Sequence, residues 1–172
     1  MTEDRRLTSQ GLERKQQLLD QAATLFAERG YAETRVLDIV QAAGVAKGLF
    51  YWYFENKEAL FRELVELNRL NLRRAQAEAI DPDAEPLVRI RQGAEASVRY
   101  MAQYANFFSL LEVENLDKQF ADELRKGTEI HTADVAAIIR AGVADGTIRD
   151  EDPEVAAYGV VGTVGYYGHF HR

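Results

Sequence analysis

The sequence predicts an all-α protein, with an N-terminal three-helix head containing a helix-turn-helix, joined by a long helix to a larger helical body. Three observations carry that expectation. Apolar residues recur at helical spacing along most of the chain, and no run shows the period-two alternation of a half-buried strand. Only three prolines interrupt the 172 residues. Two short apolar-patterned segments also flank a single glycine at position 44, as a tight helix-helix corner requires.

The elements follow in order. Leu18, Ala22, Leu25 and Phe26 fall on one face of a first helix, which Gly30 ends with Arg29 just inside to favour the negative end of the dipole. Thr34 is an allowed N-cap for a second, short helix through Val36, Ile39, Val40 and Ala43. Gly44 breaks it, and a third short helix covers Lys47 to Phe54. Glu55-Asn56 then starts a longer helix with Leu60, Phe61, Leu64, Leu67 and Leu70 on one side, continuing to about Ala79 before Asp81-Pro82-Asp83. Further helices are expected from near Pro86 to about Tyr104, from roughly Asn106 to Glu114, and from about Phe120 to Ala144. A last helix opens at Asp152-Pro153-Glu154, an N-cap, an N1 proline and an acidic first turn. The expected domains are residues 1–58 and 59–172. They meet without a Ser/Gly-rich tether, so they are expected to be mechanically connected.

Composition excludes several classes. Without cysteine there is no disulfide framework, thiolate metal site or cysteine nucleophile, which agrees with a reducing cytoplasm. The opening MTEDRRLTSQ has no apolar core of a secretory signal. The uncharged stretch Val155 to Phe170 carries four glycines and is short for a membrane span of about 20 residues. GxxxxGK[ST], HExxH, GxSxG and GxGxxG are all missing, which argues against an enzyme. His169 and His171 give two ligands without a third, poor grounds for a metal, and no cofactor is expected. The net charge of −7 is unevenly spread: residues 1–60 sum to −1 and the remainder to −6, so the acidity lies mainly outside the head.

The head also carries a pattern. Gly30-Tyr31, Thr34-Arg35, Asp38-Ile39, Ala43-Gly44-Val45, Lys47-Gly48, Tyr51, Tyr53-Phe54 and Asn56-Lys57-Glu58-Ala59-Leu60 closely resemble the DNA-binding head of the TetR family over about residues 14–65. Ile139-Arg140-Ala141-Gly142, then Gly146-Thr147-Ile148-Arg149 and Asp152-Pro153, resemble the end of that family's regulatory domain. Two positions depart from the pattern: Leu49 stands where the family is often polar, and Val40 where a small alanine is common. The resemblance implies a cytoplasmic, ligand-responsive regulator, by default a repressor. It would bind a pseudo-palindromic operator as a homodimer through residues 34–54 and be released by a small-molecule inducer.

Residue by residue, the resemblance places Lys47 and Gly48 at the start of the recognition helix. There the missing side chain of Gly48 allows close backbone approach to DNA, or else tight packing between helices. Phe50 and Phe54, four apart, share the inward face, which directs Tyr51 and Tyr53 outward with hydroxyls available to phosphates. Trp52 is open between packing and DNA contact, and Leu49 suits a thymine methyl. Lys57 sits in the first turn of a helix, where a cation is mildly unfavourable unless a phosphate docks there; the alternative is a solvated lysine beside Glu58. Thr34 and Arg35 open the supporting helix in the same role. Arg5, Arg6, Arg14 and Lys15 suggest a basic arm, largely neutralised by Glu3, Asp4 and Glu13.

For the body, the resemblance implies an inducer pocket, with Asn71, Met101, Tyr104, Phe107, Phe108 and His131 as candidates against the alternative of a packed core. Gly159, Gly162, Gly165 and Gly168 recur every three residues, each costing about 1 kcal/mol against alanine in a helix. Val161, Gly162, Gly165 and Tyr166 are therefore expected to face a partner subunit, with an intrachain contact as the alternative. The family usually has one more helix than this sequence holds, which leaves open a short bundle or an incomplete sequence. A helical interaction module without DNA binding is the remaining alternative.

Overall fold

Eight helices are described in the computed structural model, which covers residues 8–111 and 118–170, less the side chains of residues 106, 109, 110, 118–124 and 168–170. Helix α1 (Ser9–Arg29) starts where Thr8 accepts the Gly11 N–H on its hydroxyl, at 3.2 Å. It buries Leu18, Leu19, Ala22, Leu25 and Phe26, the expected stripe with one addition. Helix α2 (Val36–Ala42) and helix α3 (Lys47–Tyr53) form the two short arms of the corner. Gly44 adopts φ +65°, and the Val45 and Gly44 N–H groups return to the carbonyls of Val40 and Gln41 at 3.0 and 3.1 Å. That paired closure satisfies the last carbonyls of α2 and needs a residue at ease with positive φ. Helix α4 (Lys57–Ala79) follows, and the chain divides into two compact units inside it, between Glu66 and Leu67.

In the first unit, Ile39, Val40, Phe50, Phe54, Leu60 and Phe61 close over the stripe of α1, each at most a few per cent exposed. Side chains of this size contribute roughly 1.5–3 kcal/mol each on burial. Phe26, Tyr31 and Phe61 form a three-ring cluster with centroids 5.0 to 5.7 Å apart.

Two residues expected on the surface instead tie this unit together. Thr34 is fully buried; its hydroxyl donates to the Gly30 carbonyl at 2.8 Å, and Arg35, not Thr34, occupies the N-cap of α2. A hydroxyl reaching back to the end of α1 is already satisfied and has no reason to cap α2. Lys57 donates from Nζ to the carbonyls of Tyr31 (2.6 Å) and Thr34 (2.8 Å), and its ammonium lies 4.2 Å from the centre of the Tyr31 ring. Burial pulls its pKa below the ordinary lysine value, with Glu33 opposing. The lysine thus fastens the loop between α1 and α2 to the start of α4.

The second unit holds the rest of α4 with helices α5 (Pro86–Gln103), α6 (Ala105–Leu111), α7 (Lys118–Asp145) and α8 (Pro153–Phe170). Helix α6 is described as far as Leu111, and the rest of its expected span to Glu114 lies outside the described residues. Asp152 caps α8 as its sequence signals, accepting the N–H groups of Glu154 and Val155 at 3.0 Å. Val135, Ala136, Ile139 and Ala157 make the core between α7 and α8, with Ile90, Ile148 and Val160 packed around them. Gly142 stands where that core is tightest: an added Cβ would lie 2.7 Å from Ile148 and 3.0 Å from the Pro86 Cβ.

Two outcomes follow from these contacts. Lys57→Met leaves the carbonyls of Tyr31, Ala32 and Thr34 without this donor and is expected to destabilise the first unit by about 1–3 kcal/mol, measured by thermal or urea unfolding. An unchanged midpoint would show the clamp to be idle. Gly142→Ala gains about 1 kcal/mol of helix propensity but meets overpacking of about 1–3 kcal/mol, so a net loss in melting temperature is expected.

Candidate nucleic-acid interface and ligand cavity

The outward side of α3 is built by what α3 buries. Phe50 is fully buried and the following Phe54 nearly so, their rings 5.6 Å apart, which fixes the rotation of the helix against α1 and α2. With that rotation set, Lys47, Gly48, Tyr51 and Trp52 are exposed, Tyr51 and Trp52 to 51% and 49%. The Lys47 ammonium lies 5.9 Å from the Tyr51 ring centre, so cation and phenol share one patch. Leu49 is half-buried at its edge. Gly48 has ordinary φ, and a Cβ built there meets nothing within 4 Å. Packing against described parts of this chain therefore does not require glycine at 48, which removes one of its two readings.

The other predicted contacts divide. Arg35 is exposed, yet its guanidinium is engaged side-on by Asp38 at 3.1 Å through both Nε and Nη2, while Asp38 also accepts the Arg35 backbone N–H at 2.9 Å. The Arg35 hydrogen bonds hold the Asp38 carboxyl below the usual carboxylate range. Tyr53 does not present its hydroxyl outward: it donates to the Gly11 carbonyl at 2.8 Å, tying α3 to the start of α1. The Thr34 side chain is sealed inside and the Lys57 ammonium is held by carbonyls, so neither stands on the exposed face with Lys47. Nor is the tip of α4 left open, because the Asn56 side chain accepts the Ala59 N–H at 2.8 Å. Of the basic arm, Lys15 pairs with Glu63 at 2.5 Å and Arg14 bonds Gln17, while Arg5 and Arg6 lie outside the described residues.

The second unit holds a half-open cavity of about 430 Å³ between α4, α5, α7 and α8. Its polar wall consists of Arg73, Gln76, Arg89, His131 and Asp134; the remainder is isoleucine, valine, alanine and glycine. Gln76 is buried and donates to the Ser97 hydroxyl at 2.8 Å, and Ser97 donates onward to the Gly93 carbonyl. Its amide nitrogen lies 3.3 Å from the nearer His131 ring nitrogen. Burial holds the His131 pKa below the ordinary histidine value, against the opposing Asp134, so the imidazole is neutral near pH 7.

Of the six pocket candidates from sequence, His131 alone lines this cavity. Tyr104, Phe107 and Phe108 instead join Tyr100 in an aromatic cluster, with centroids 4.5 Å apart for Tyr100 and Tyr104 and 5.6 Å for Phe107 and Phe108. Met101 is half-buried and Asn71 exposed. Arg73, Gln76 and Arg89 line the cavity as well, and none of them is among the six. Arg89 had a readable signal, since it falls on the helical stripe of Pro86, Ile90, Gly93 and Ser97, where a charge is out of place.

On α8 the inward side is Ala157, Val160 and Val161. Val161 therefore packs within its own chain rather than facing out, because it shares the side of Ala157. Val155, Tyr158, Gly159, Gly162 and Tyr166 are exposed at helical spacing on one face, and Gly165 is also exposed. Beyond its chain neighbours and the adjacent backbone of α8, a Cβ built at Gly159, Gly162 or Gly165 meets no described atom within 4 Å, so an intrachain close approach does not explain them. Of the terminal histidines, the His169 side chain and His171 lie outside the described residues. No helix among the described residues is long and apolar enough to cross a membrane.

Comparison with known proteins bears on both units. Residues 18–64 match the family described as bacterial regulatory proteins, tetR family, and residues 83–169 match a tetracyclin repressor-like, C-terminal domain. The chain is 31% identical over 122 residues to the probable acrEF/envCD operon repressor of Escherichia coli K12, a match taking in 70% of this chain and 55% of that protein. It thus spans about half the length of that relative. It is 37% identical over 153 residues to the HTH-type transcriptional repressor KstR2 of Rhodococcus jostii RHA1, covering 83% of this chain and 72% of that one. The crystal structure of the TetR family transcriptional regulator PfmR from Thermus thermophilus has a TM-score of 0.76 at 29% identity, covering 90% of this chain and 84% of that one. With a family match in each half and a shared fold across nine-tenths of its length, the chain belongs to the tetR family of bacterial regulatory proteins.

Proposed function

We propose that this chain is a transcriptional repressor that binds a pseudo-palindromic operator as a homodimer and is released by a small molecule occupying the cavity of its second unit. The observation that carries the DNA reading is Gly48: a helical glycine, exposed beside Lys47 and Tyr51, with open space where a side chain would stand. A glycine in a helix costs stability relative to alanine, and here nothing inside the described chain accounts for it. Close approach of the α3 backbone to a base edge or phosphate does. Lys47 and the Tyr51 hydroxyl then act as phosphate donors that set the register of the helix in the major groove, and Trp52 meets sugar or a thymine methyl. Arg35 joins them where a phosphate competes with Asp38 for its fork. Lys57, Tyr53 and Thr34 support this surface from behind.

The exposed face of α8 supports the dimer. Tyrosines and a valine flanking three uncrowded glycines suit a second helix coming close, and in a two-fold dimer the same patch serves both subunits. Two α3 helices then enter adjacent major grooves, about 34–36 Å or one helical turn apart. The cavity supports the ligand reading, and a ligand changes DNA affinity only through different affinity for the bound and released states.

The test is selection of bound duplexes from a random pool by the purified protein. A symmetric site is expected, and failure to enrich any symmetric sequence at low salt would overturn the proposal. On the selected site, Gly48→Ala is expected to lower affinity while its melting temperature stays level or rises. Lys47→Ala is expected to flatten the slope of log affinity against log salt by about 1 per subunit. Gly162→Arg is expected to give a monomer in sedimentation and to lose cooperative binding to the full site; a dimer that survives it would place the interface elsewhere.

A further inference from the structure

The cavity between α4, α5, α7 and α8 holds one cation that nothing in the described chain answers. Among the described residues the Arg89 guanidinium makes no hydrogen bond and no ion pair, and its Nε is buried without a partner. The other cation of the wall, Arg73, is paired with Asp134 at 2.8 Å. His131 contributes no charge near neutral pH. The remaining groups are the Gln76 amide, already bonded to Ser97, and apolar side chains. A guanidinium Nε–H buried without an acceptor is unfavourable, and it persists in folded chains where something else completes it.

We infer that the ligand of this cavity is an organic monoanion, a carboxylate attached to an apolar body, whose two oxygens accept from one edge of the Arg89 guanidinium. The planar fork of arginine matches a carboxylate in shape and charge, and such paired bonds are about twice as strong as neutral ones. The Arg73–Asp134 pair is already neutral, so a single negative charge balances the site and a second would be left unanswered. The apolar remainder of the wall takes the body of the ligand, and about 430 Å³ lies within the range of small-molecule sites. A neutral ligand of the same shape leaves Arg89 unpaired, and a cationic one is repelled by it. The inference rests on the reading of this cavity as the inducer site, and it adds the chemical class.

The experiment measures binding to the purified full chain by calorimetry, without DNA. The probes are octanoate, 1-octanol and octylamine, with 4-phenylbutanoate and 4-phenylbutanol as a second matched pair. At least one carboxylate is expected to bind, with its neutral and cationic counterparts weaker by about tenfold or more. Arg89→Met is expected to abolish that preference without lowering the melting temperature of the ligand-free protein, because it removes an unpartnered group. Arg89→Lys keeps the charge and is expected to retain part of the preference. The inference is overturned if the alcohols bind as tightly as the carboxylates, or if neither carboxylate binds by about 1 mM. It is equally overturned if Arg89→Met keeps carboxylate affinity or melts well below the parent, which would make Arg89 a structural brace. Mobility shift on the selected operator is read separately. Carboxylate binding that leaves the operator complex intact preserves the chemical class and removes the inducer role, whereas release by neutral ligands alone does the reverse.

Discussion

The ammonium of Lys57 is the point on which the first unit turns. A half-buried cation directed at three backbone carbonyls and the face of a tyrosine replaces its lost hydration with acceptors at fixed positions. The loop it holds carries Thr34, whose own hydroxyl is bonded to the Gly30 carbonyl at the end of α1, and leads directly into α2. The placement of α2 sets the Gly44 corner, and the corner sets α3. The exposed patch of Lys47, Gly48, Tyr51 and Trp52 is therefore the far end of a chain of backbone contacts that begins at the foot of α4. Orientation of an exposed face by groups held behind it is a general way to combine a rigid frame with a variable surface.

Much of this was readable in advance, for identifiable reasons. The stripe Leu18–Ala22–Leu25–Phe26, the inward Phe50 and Phe54, the corner at Gly44 and the cap at Asp152 all rest on local rules of spacing and backbone conformation, which tertiary packing did not override. What sequence leaves undecided is chemistry that looks identical from the inside and the outside. A lysine in a first turn, a threonine ahead of a helix and a tyrosine in a short helix each carry donors that suit phosphate as well as carbonyl. Sequence cannot tell which acceptor is nearer. In Lys57, Thr34 and Tyr53 the nearer one belongs to the chain itself.

The second unit was less legible. Its cavity is assembled from four helices, and which residues line it depends on helix rotations that spacing alone leaves undetermined. The aromatic residues near the end of α5 and in α6 offer apolar surface with a few polar groups, as small-molecule pockets do, yet they pack on one another. Arginine is mostly an exposed residue type, so its identity alone does not mark Arg89. Its place on an apolar stripe was the better guide, and the same logic separates Val161, on the side of Ala157, from Gly162 one residue later.

The crowding around Gly142 has a meaning for relatives of this chain. Gly142, Pro86 and Ile148 come from α7, the start of α5 and the corner before α8, and they share one small volume. Bulk added at any of the three must be surrendered by another. A change at one of the three is therefore best tolerated together with a compensating change at another.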